Sequence, residues 1–214
     1  MSFINCMKID SRNNINFGAY HFARCQNLNI NIHKISNNSD IKALQKFCDT
    51  VDFNELMPDL TRNNADRWHE MLELVTDSAK NPGNVTYVET INNKICGIVS
   101  YFPNPTTFID CICTIPVNIG EKVKLAGKAL FCQVFSDFEK YNGSKIKLKA
   151  ITNGPYDTVN KYKELGFKET HNVTSTYSEM EVNKHVVKNE LQRLKNIVGY
   201  NEVEPENINL DEMF

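Results

Sequence analysis

The segment Lys124–Leu130 of this sequence has residue types and spacing suited to binding a phosphate. It lies in a stretch with helical periodicity, and Gly127 and Ala129 place no bulky side chain in this segment. The first N–H groups of a helix have no acceptor within the helix and lie at the positive end of its dipole. An anion such as a phosphate can therefore bind there. The alternative is an ordinary helix in which Gly127 eases packing.

A second segment, Tyr162–Phe167, follows after the rest of that helix and one predicted strand, Lys145–Ile151. Its Gly166 fits the left-handed position just past a helix end. In this order, the two segments resemble the two signature regions of the GCN5-related N-acetyltransferase (GNAT) superfamily. The resemblance covers residues 29–182 and implies an enzyme that uses acetyl-coenzyme A as its acyl donor.

In the GNAT superfamily, a signature of the form Arg/Gln-x-x-Gly-x-Gly/Ala holds the pyrophosphate of coenzyme A on backbone N–H groups. Lys124 stands at its first position here, Gly127 at the central glycine and Ala129 at the last small residue. The sequence departs from the pattern, because lysine replaces the usual first residue and Leu125 stands where many members have glycine. The residues that the resemblance assigns to the cofactor in this segment are Lys124, Leu125, Ala126, Gly127, Lys128 and Ala129.

The resemblance also gives Tyr162 a catalytic role. Family members often place a tyrosine at this position near the thioester sulfur, where it protonates the departing thiolate. A phenol with a pKa of about 10 can donate a proton to a thiolate of comparable basicity if it lies within hydrogen-bond reach. The competing interpretation of Tyr162 is a core residue on the apolar face of a helix.

An amine must lose its proton before it attacks a thioester, so the reaction also needs a base. Phe108–Ile115 resembles the strand that carries a glutamate base in the protein-lysine acetyltransferase branch, which makes Asp110 the candidate. One interpretation is that the apolar neighbours Ile109, Cys111 and Ile112 bury Asp110, which would raise the pKa of its carboxyl toward neutrality. An aspartate on the solvent face of the sheet is the equal alternative. Glu89 and His69 are weaker candidates for the base.

Cys113, Thr114 and Ile115 lie at the end of this strand, and the resemblance assigns them to the cofactor as well. Family members splay this strand from the next, so that pantetheine pairs with the sheet edge and a backbone N–H binds the oxyanion. Lys161 and Lys163 flank the predicted catalytic tyrosine. One of them would reach the 3′-phosphate of the nucleotide, unless both belong to a solvated helix face.

Hydrophobic periodicity predicts the elements that must position these residues. Alternation of polar and apolar residues predicts strands, and apolar spacings of three and four residues predict helices. The predicted strands are 29–33, 85–90, 95–102, 107–114, 145–151 and two within 167–182. The predicted helices are 39–48, 64–79, 122–141, one that ends at 165 and one at 186–198. Residues 1–28 are expected to be irregular, and residues 201–214 a loose acidic tail.

This order of elements predicts an α/β (α+β) fold with a mixed, mostly antiparallel sheet flanked by helices, similar to GNAT proteins, and an extra C-terminal helix. The predicted organisation is an N-terminal extension at 1–27, a GNAT-like acetyltransferase domain at 28–182, and a C-terminal helix with an acidic tail at 183–214. The apolar stripe of the last helix would either cover the domain's own sheet or pair two subunits in a homodimer.

The composition is that of an ordinary globular protein, and 214 residues suffice for one sizeable domain. A formal net charge of -2 lacks the basic excess of a nucleic-acid-binding domain. No segment has the length of a membrane span, and Met1–Ile9 lacks the apolar run of a signal peptide. The 7 cysteines include no Cys-x-x-Cys pair, which favours reduced thiols, no bound metal and a cytoplasmic location. Cys111 and Cys113 are expected to share one face of a strand.

The predicted function is the N-acetylation of a primary amine by acetyl-coenzyme A, with direct attack of the bound amine in a ternary complex. The acceptor would be a small molecule or a protein, bound by the loops at 49–65 and 172–178. An alternative is a GNAT-fold module, catalytically weak or inactive, that binds acyl-coenzyme A or a protein partner. A third possibility is a small α/β protein with no coenzyme A site.

Overall fold

A computed structural model describes residues 20–152 and 156–203, which fold around one mixed β-sheet. The strands are β1 (Tyr20–Cys25), β2 (Ile30–Ile35), β3 (Val85–Ile91), β4 (Lys94–Phe102), β5 (Thr106–Thr114), β6 (Lys145–Ile151), β7 (Lys168–Val173), β8 (Tyr177–Asn183) and β9 (Tyr200–Glu202). The helices are α1 (Asn38–Thr50), α2 (Phe53–Leu56), α3 (Arg62–Lys80), α4 (Ala126–Lys140), α5 (Thr158–Lys163) and α6 (Lys184–Val198).

The strands lie side by side in the order β7, β8, β6, β5, β4, β3, β2, β1, β9. Neighbouring strands of this sheet are antiparallel except β5 and β6, which run parallel. The prediction of a mixed, mostly antiparallel sheet flanked by helices is confirmed. The one parallel pair, β5 and β6, is hydrogen-bonded along only part of its length.

Helices pack on both faces of the sheet and create two cores. α1, α2 and α3 cover one face, where Phe53 and Leu72 are buried. α4 and α6 cover the other face, where Phe135 is buried. Cys111 and Cys113 both belong to the first core, so they share one face as alternation predicts. No helix in the described ranges has the length and apolar character needed to span a membrane.

Cysteines in the described ranges are all buried and form no disulfide with one another. Burial raises the pKa of Cys48 to about 11 and that of Cys111 to about 12. These thiols are therefore protonated at neutral pH and are poor nucleophiles. Cys6 lies outside the described residues.

The last helix, α6, covers its own domain. Its apolar stripe is buried against α4 and the sheet through Val187, Leu191, Leu194 and Val198. The helix begins at Asn183, whose side-chain oxygen accepts a hydrogen bond from the N–H of Val186. Of the two roles considered for this stripe, the structure shows the first.

Two strands lie beyond the predicted domain boundaries. β1 comes from the segment expected to be irregular, yet it pairs with β2 on one side and with β9 on the other. β9 includes Asn201 and Glu202, which were expected in a loose tail. Residues on both sides of the boundaries at 28 and 182 therefore share one sheet. The rest of the predicted extension and tail, residues 1–19 and 204–214, lies outside the described residues.

Helix α4 begins at Ala126, later than the predicted start at 122. The residue before it, Leu125, has φ 67° and ψ 6°, in the left-handed region. A left-handed residue cannot continue a right-handed helix, and for leucine this conformation costs about 1–2 kcal/mol. The sequence-predicted phosphate segment thus contains a strained residue at the junction between loop and helix.

Candidate active site

The centre of the sheet opens where β5 and β6 separate. The two strands pair only through Thr106–Ile109 of β5 and Lys145–Leu148 of β6. β5 then continues to Thr114 and β6 to Ile151 without further pairing between them. The strands form a V, and the second half of β5 presents main-chain groups that do not bond to β6. The resemblance implied such a splay.

Asp110 lies at the vertex of this V, in a β-bulge. The register between β4 and β5 shifts between Ser100 and Tyr101, which leaves Asp110 without a direct partner on β4. A bulge changes the direction of a side chain and is frequent next to active sites. Asp110 and its neighbour Cys111 both contact the α3 side of the sheet as a result.

The main-chain groups that face the V can be identified from the pairing with β4. The N–H of Ile115 donates to the carbonyl oxygen of Cys96 at 2.9 Å. Because hydrogen-bonding direction alternates along an antiparallel strand, the main-chain groups of Ile112 and Thr114 point away from β4 and into the V. These two N–H groups, and not that of Ile115, are placed to bind an oxyanion or an extended ligand.

The start of α4 meets the open edge of β5. A Cβ added at Gly127 would meet only the Cγ2 atom of Thr114, at 3.6 Å, which is an ordinary van der Waals contact. Packing therefore does not require glycine here, against the interpretation of Gly127 as a packing residue. The N–H groups of Lys128 and Ala129 bond back to Leu125, whereas that of Gly127 has no acceptor among residues 20–152 and 156–203. An unpaired donor beside open space suits a phosphate.

Two adjacent hollows lie between the start of α4 and Asp110, and together we call them the cleft. The hollow beside α4 has about 1230 Å³ and the hollow beside α3 about 750 Å³, both including space open to solvent. The residues that line both hollows are Trp68, Ile112, Tyr156, Thr158 and Tyr162. The hollow beside α4 is also lined by Cys113, Thr114, Leu125, Ala126, Gly127 and Lys128.

Lysines make the α4 side of the cleft positive. Lys122 donates a hydrogen bond to the hydroxyl of Tyr156, and its Nζ lies 4.0 Å from the centroid of that ring. Lys161 Nζ lies 5.0 Å from the same centroid. Lys163 instead forms an ion pair with Glu169, at 2.5 Å. Of the two lysines that flank the predicted catalytic tyrosine, Lys161 is the one that lines the cleft.

Tyr162 lies where the two hollows meet. Its ring packs edge-on against Phe131, with centroids 5.7 Å apart, and lies 6.1 Å from the ring of Phe167. Burial raises the pKa of Tyr162 to about 12, with a smaller contribution from Cys113. The phenol is therefore protonated at neutral pH, which is the state that a proton donor requires.

Asp110 lines the hollow beside α3 and is exposed. Its Oδ2 accepts hydrogen bonds from Ser78 Oγ at 2.8 Å and from Asn84 Nδ2 at 2.6 Å. No side chain in the described ranges donates to its Oδ1, so one carboxylate oxygen is held and the other is accessible. Of the two interpretations of Asp110, the structure shows the exposed one, because the bulge places the side chain beside the hollow and not in a core.

The residues that hold Asp110 were not predicted from the sequence. Ser78 Oγ also lies 2.7 Å from Ser100 Oγ, which in turn lies 2.9 Å from Thr86 Oγ1. Asn84 Nδ2 donates to Ser78 Oγ as well, at 2.6 Å. The cluster joins α3, the turn after it, β3, β4 and β5. Since Ser78 is 32 residues from Asp110 in sequence, no local pattern could have identified it.

Several candidates lie away from the cleft. Lys124 is exposed and lines neither hollow. Ile115 and Ala129 are buried in the two cores. His69 packs against an aromatic ring of α2, and Glu89 is buried inside the sheet. The cleft therefore brings together Tyr162, Asp110 and most, but not all, of the residues assigned to the cofactor.

No protein-family model matches the sequence, and no curated protein matches it. Among solved structures, the PaiA N-acetyltransferase of Thermoplasma acidophilum, in complex with coenzyme A, is 15% identical, with a TM-score of 0.52 over 72% of this chain and 98% of that one. A spermidine N-acetyltransferase SpeG chimera from Vibrio cholerae and hSSAT is 16% identical, with a TM-score of 0.50 over 75% of this chain and 99% of that one. At these identities the likeness concerns the fold: the chain has the GNAT fold.

Proposed function

We propose that this GNAT-fold chain is an acetyl-coenzyme A-dependent N-acetyltransferase that acetylates a primary amine. The observation that supports the proposal is that two adjacent hollows with shared walls lie beside the start of α4, the open edge of β5 and Asp110. These three places suit, in this order, a diphosphate, an extended amide chain and an amine. A cleft that holds both substrates together also lowers the entropic cost of their reaction.

The residues present fit coenzyme A. The N–H of Gly127 would bind its pyrophosphate, and Lys122 and Lys161 would bind phosphate oxygens from the other side of the hollow. The main-chain groups of Ile112 and Thr114 would pair with the pantetheine amides, as an added strand pairs with a sheet edge. When bound, acetyl-coenzyme A supplies the activated acetyl group.

The reaction joins the amine nitrogen to the acetyl carbon and breaks the carbon–sulfur bond. Asp110 Oδ1 would accept the proton that the amine loses, directly or through a water. An N–H of Ile112 or Thr114 would stabilise the carbonyl oxygen as it gains negative charge. The hydroxyl of Tyr162 would donate the proton that the departing sulfur takes up. Because the amine attacks directly, both substrates must be bound together, and initial rates should show a ternary-complex pattern.

Calorimetric titration with acetyl-coenzyme A, followed by mass spectrometry of the mixture with a panel of primary amines, tests this proposal. We expect micromolar affinity and release of the free thiol together with an acetylated amine. Binding without acetylation of any amine would favour the acyl-coenzyme A-binding module instead. Absence of binding at millimolar cofactor would overturn both.

A pair of charge variants tests the cofactor assignment. Gly127→Glu places a carboxylate against the pyrophosphate, and we expect cofactor affinity to fall at least about 100-fold, or about 2.7 kcal/mol. Lys124→Glu is the matched control, because Lys124 is exposed and lines neither hollow. Its effect should stay within about fivefold. Retained affinity in a stably folded Gly127→Glu protein would remove the assignment.

A further inference from the structure

The residues that line the hollow beside α3, which we call the acceptor hollow, indicate which kind of amine it can bind. We infer that the acceptor is a primary amine on an apolar skeleton with a single positive charge, such as an arylalkylamine, and not a polyamine. The inference rests on the proposed function and specifies its substrate class. Two observations carry it: the apolar walls of the hollow and the distribution of charge along them.

The walls of the acceptor hollow are mainly apolar. Trp68 and Met71 reach it from α3, Ile109 and Ile112 from β5, and Leu148 from β6. Such walls gain from contact with hydrocarbon, and each methylene group that a ligand buries there strengthens binding about fourfold. A polyamine would have to place its ammonium groups against these same side chains, where they lose their hydration without gaining a partner.

The indole ring of Trp68, which lines the acceptor hollow, is held in position by two other aromatic rings. The ring of Trp68 stacks on that of Phe53, with centroids 5.5 Å apart and an interplanar angle of 27°. It also lies edge-on to Tyr156, with centroids 6.4 Å apart. A side chain that is already held in position loses little conformational entropy when a ligand binds. The indole can therefore act as a flat surface for an aromatic or branched hydrocarbon group.

The charges along the hollow fit one ammonium group. Asp110 is the single carboxylate among the described residues that line it, and Ser78 and Asn84 hold that carboxylate in place. The cationic side chain of Lys149 also lines the hollow. It would repel a second ammonium group, since like charges repel one another at short range. One amine can pair with Asp110, whereas the remaining charges of spermidine would find no carboxylate there.

The direct test compares 2-phenylethylamine with spermidine as acceptors for the full chain. We expect kcat/KM, measured by thiol release from acetyl-coenzyme A, to be at least tenfold higher for 2-phenylethylamine. The chain has 1 tryptophan, so the fluorescence of Trp68 reports occupancy of the hollow directly. It should change with saturation as 2-phenylethylamine is added. Equal or better kinetics with spermidine, or no acceleration by 2-phenylethylamine, would overturn the inference.

Variants of the wall add a second test. Trp68→Ala should lower the preference for 2-phenylethylamine over spermidine at least fivefold, mainly through KM, and Trp68→Phe should restore most of it. Leu74→Ala, on the same helix but 56% exposed, is the matched control and should leave the preference unchanged. An equal loss with both amines in Trp68→Ala would contradict the inference.

The two proposals fail in different ways. Calorimetric binding of acetyl-coenzyme A needs no amine, and its absence would overturn the proposed function. Normal cofactor binding combined with a preference for spermidine would overturn the acceptor class alone.

Discussion

Two aspartates on opposite faces of the sheet accept hydrogen bonds from neutral donors, yet their surroundings differ. Asp110 is exposed, and its Oδ2 accepts two hydrogen bonds, while no side chain in the described ranges donates to its Oδ1. Asp137 is 2% exposed. Its Oδ2 accepts from Tyr87 at 2.7 Å and from Tyr101 at 2.5 Å, and its Oδ1 accepts from Gln133 at 3.2 Å.

The difference shows how similar chemistry can serve catalysis or stability. Burial and the nearby Asp137 hold the pKa values of Tyr87 and Tyr101 well above the usual range, so both phenols remain donors. Both oxygens of Asp137 are engaged, and no substrate can reach it. Asp110 keeps one accessible oxygen beside a cleft. Access, and not the number of donors, separates a candidate base from a structural carboxylate.

The largest expected effect is on turnover in Asp110→Asn. The amide cannot accept a proton, and loss of a general base lowers kcat about 10²- to 10⁴-fold. The free energy of unfolding should change by less than about 1 kcal/mol, because the side chain is exposed. Initial rates and urea unfolding of the same preparation check both expectations. Unchanged turnover would exclude Asp110 as the base.

The reverse result is expected for Asp137→Ala. Tyr87, Tyr101 and Gln133 would lose their acceptor inside the core, and each buried polar group without a partner costs about 1–3 kcal/mol. We expect the free energy of unfolding to fall by about 3 kcal/mol or more, measured by urea unfolding. The protein that remains folded should keep kcat within about threefold. A large loss of kcat without loss of stability would mean that Asp110 and Asp137 do not have separate roles in catalysis and stability.

A third carboxyl, Glu89, extends the comparison because it is buried and has no partner. Neither of its side-chain oxygens has a hydrogen-bond partner within the described residues. A Cβ added at the neighbouring Gly97 would lie 2.6 Å from Glu89 Oε2, so glycine provides the room that this side chain occupies. Burial raises the pKa of Glu89 well above its usual value. The folded protein therefore keeps Glu89 protonated where the unfolded chain would ionise.

This shift predicts how stability depends on pH. The folded state binds the proton of Glu89 more tightly than the unfolded chain does. Its contribution to the free energy of unfolding is therefore fully present below the unfolded pKa of about 4.5, and it is lost as pH rises toward the folded pKa. The loss amounts to about 1.4 kcal/mol per pH unit. Glu89→Met should remove this slope, so its gain in the free energy of unfolding over the unchanged protein should be larger at pH 8 than at pH 5. Urea unfolding at pH 5 and pH 8 checks it, and an unchanged slope would contradict it.

The smallest expected effect lies at the start of α4, where the cleft contains strain. Leu125→Gly should raise the free energy of unfolding by about 1 kcal/mol, because glycine adopts φ 67° without steric cost. Leu125→Ala keeps a Cβ in the same conformation and should give no gain. Thermal unfolding of the two variants provides the comparison. Equal stability of both would mean that Leu125 is not strained.

Much of the fold could be predicted from sequence because its signals are local. Periodicity identified the helices and strands that surround the cleft, with the exception of short elements such as α2 and β9. Gly166 has φ 83°, which confirms the left-handed position expected after a helix end. Helix α4 was predicted too long, because Lys122–Leu125 continue its apolar pattern although Leu125 is left-handed.

The candidate site was less accessible to sequence analysis, because its geometry depends on non-local pairing. The separation of β5 from β6 and the bulge at Asp110 are set by register between distant segments. Ser78 and Asn84 were therefore not recognised, although they decide which oxygen of Asp110 is available. Local motifs could indicate Tyr162 and Gly127, and only the assembled sheet could show what they face.

The pairing of β1 with β9 has a consequence for how the protein is made. Ala23 lies opposite Glu202, and Tyr200 donates to Gln133 at 2.8 Å, which in turn contacts Asp137. These contacts join segments from early and late in synthesis, so they cannot form until residue 202 has left the ribosome. Contacts of such long sequence separation also form slowly. Until β9 has been synthesised, the side of β1 that pairs with it stays unpaired, and an unpaired strand edge is a site where aggregation or chaperone binding can occur.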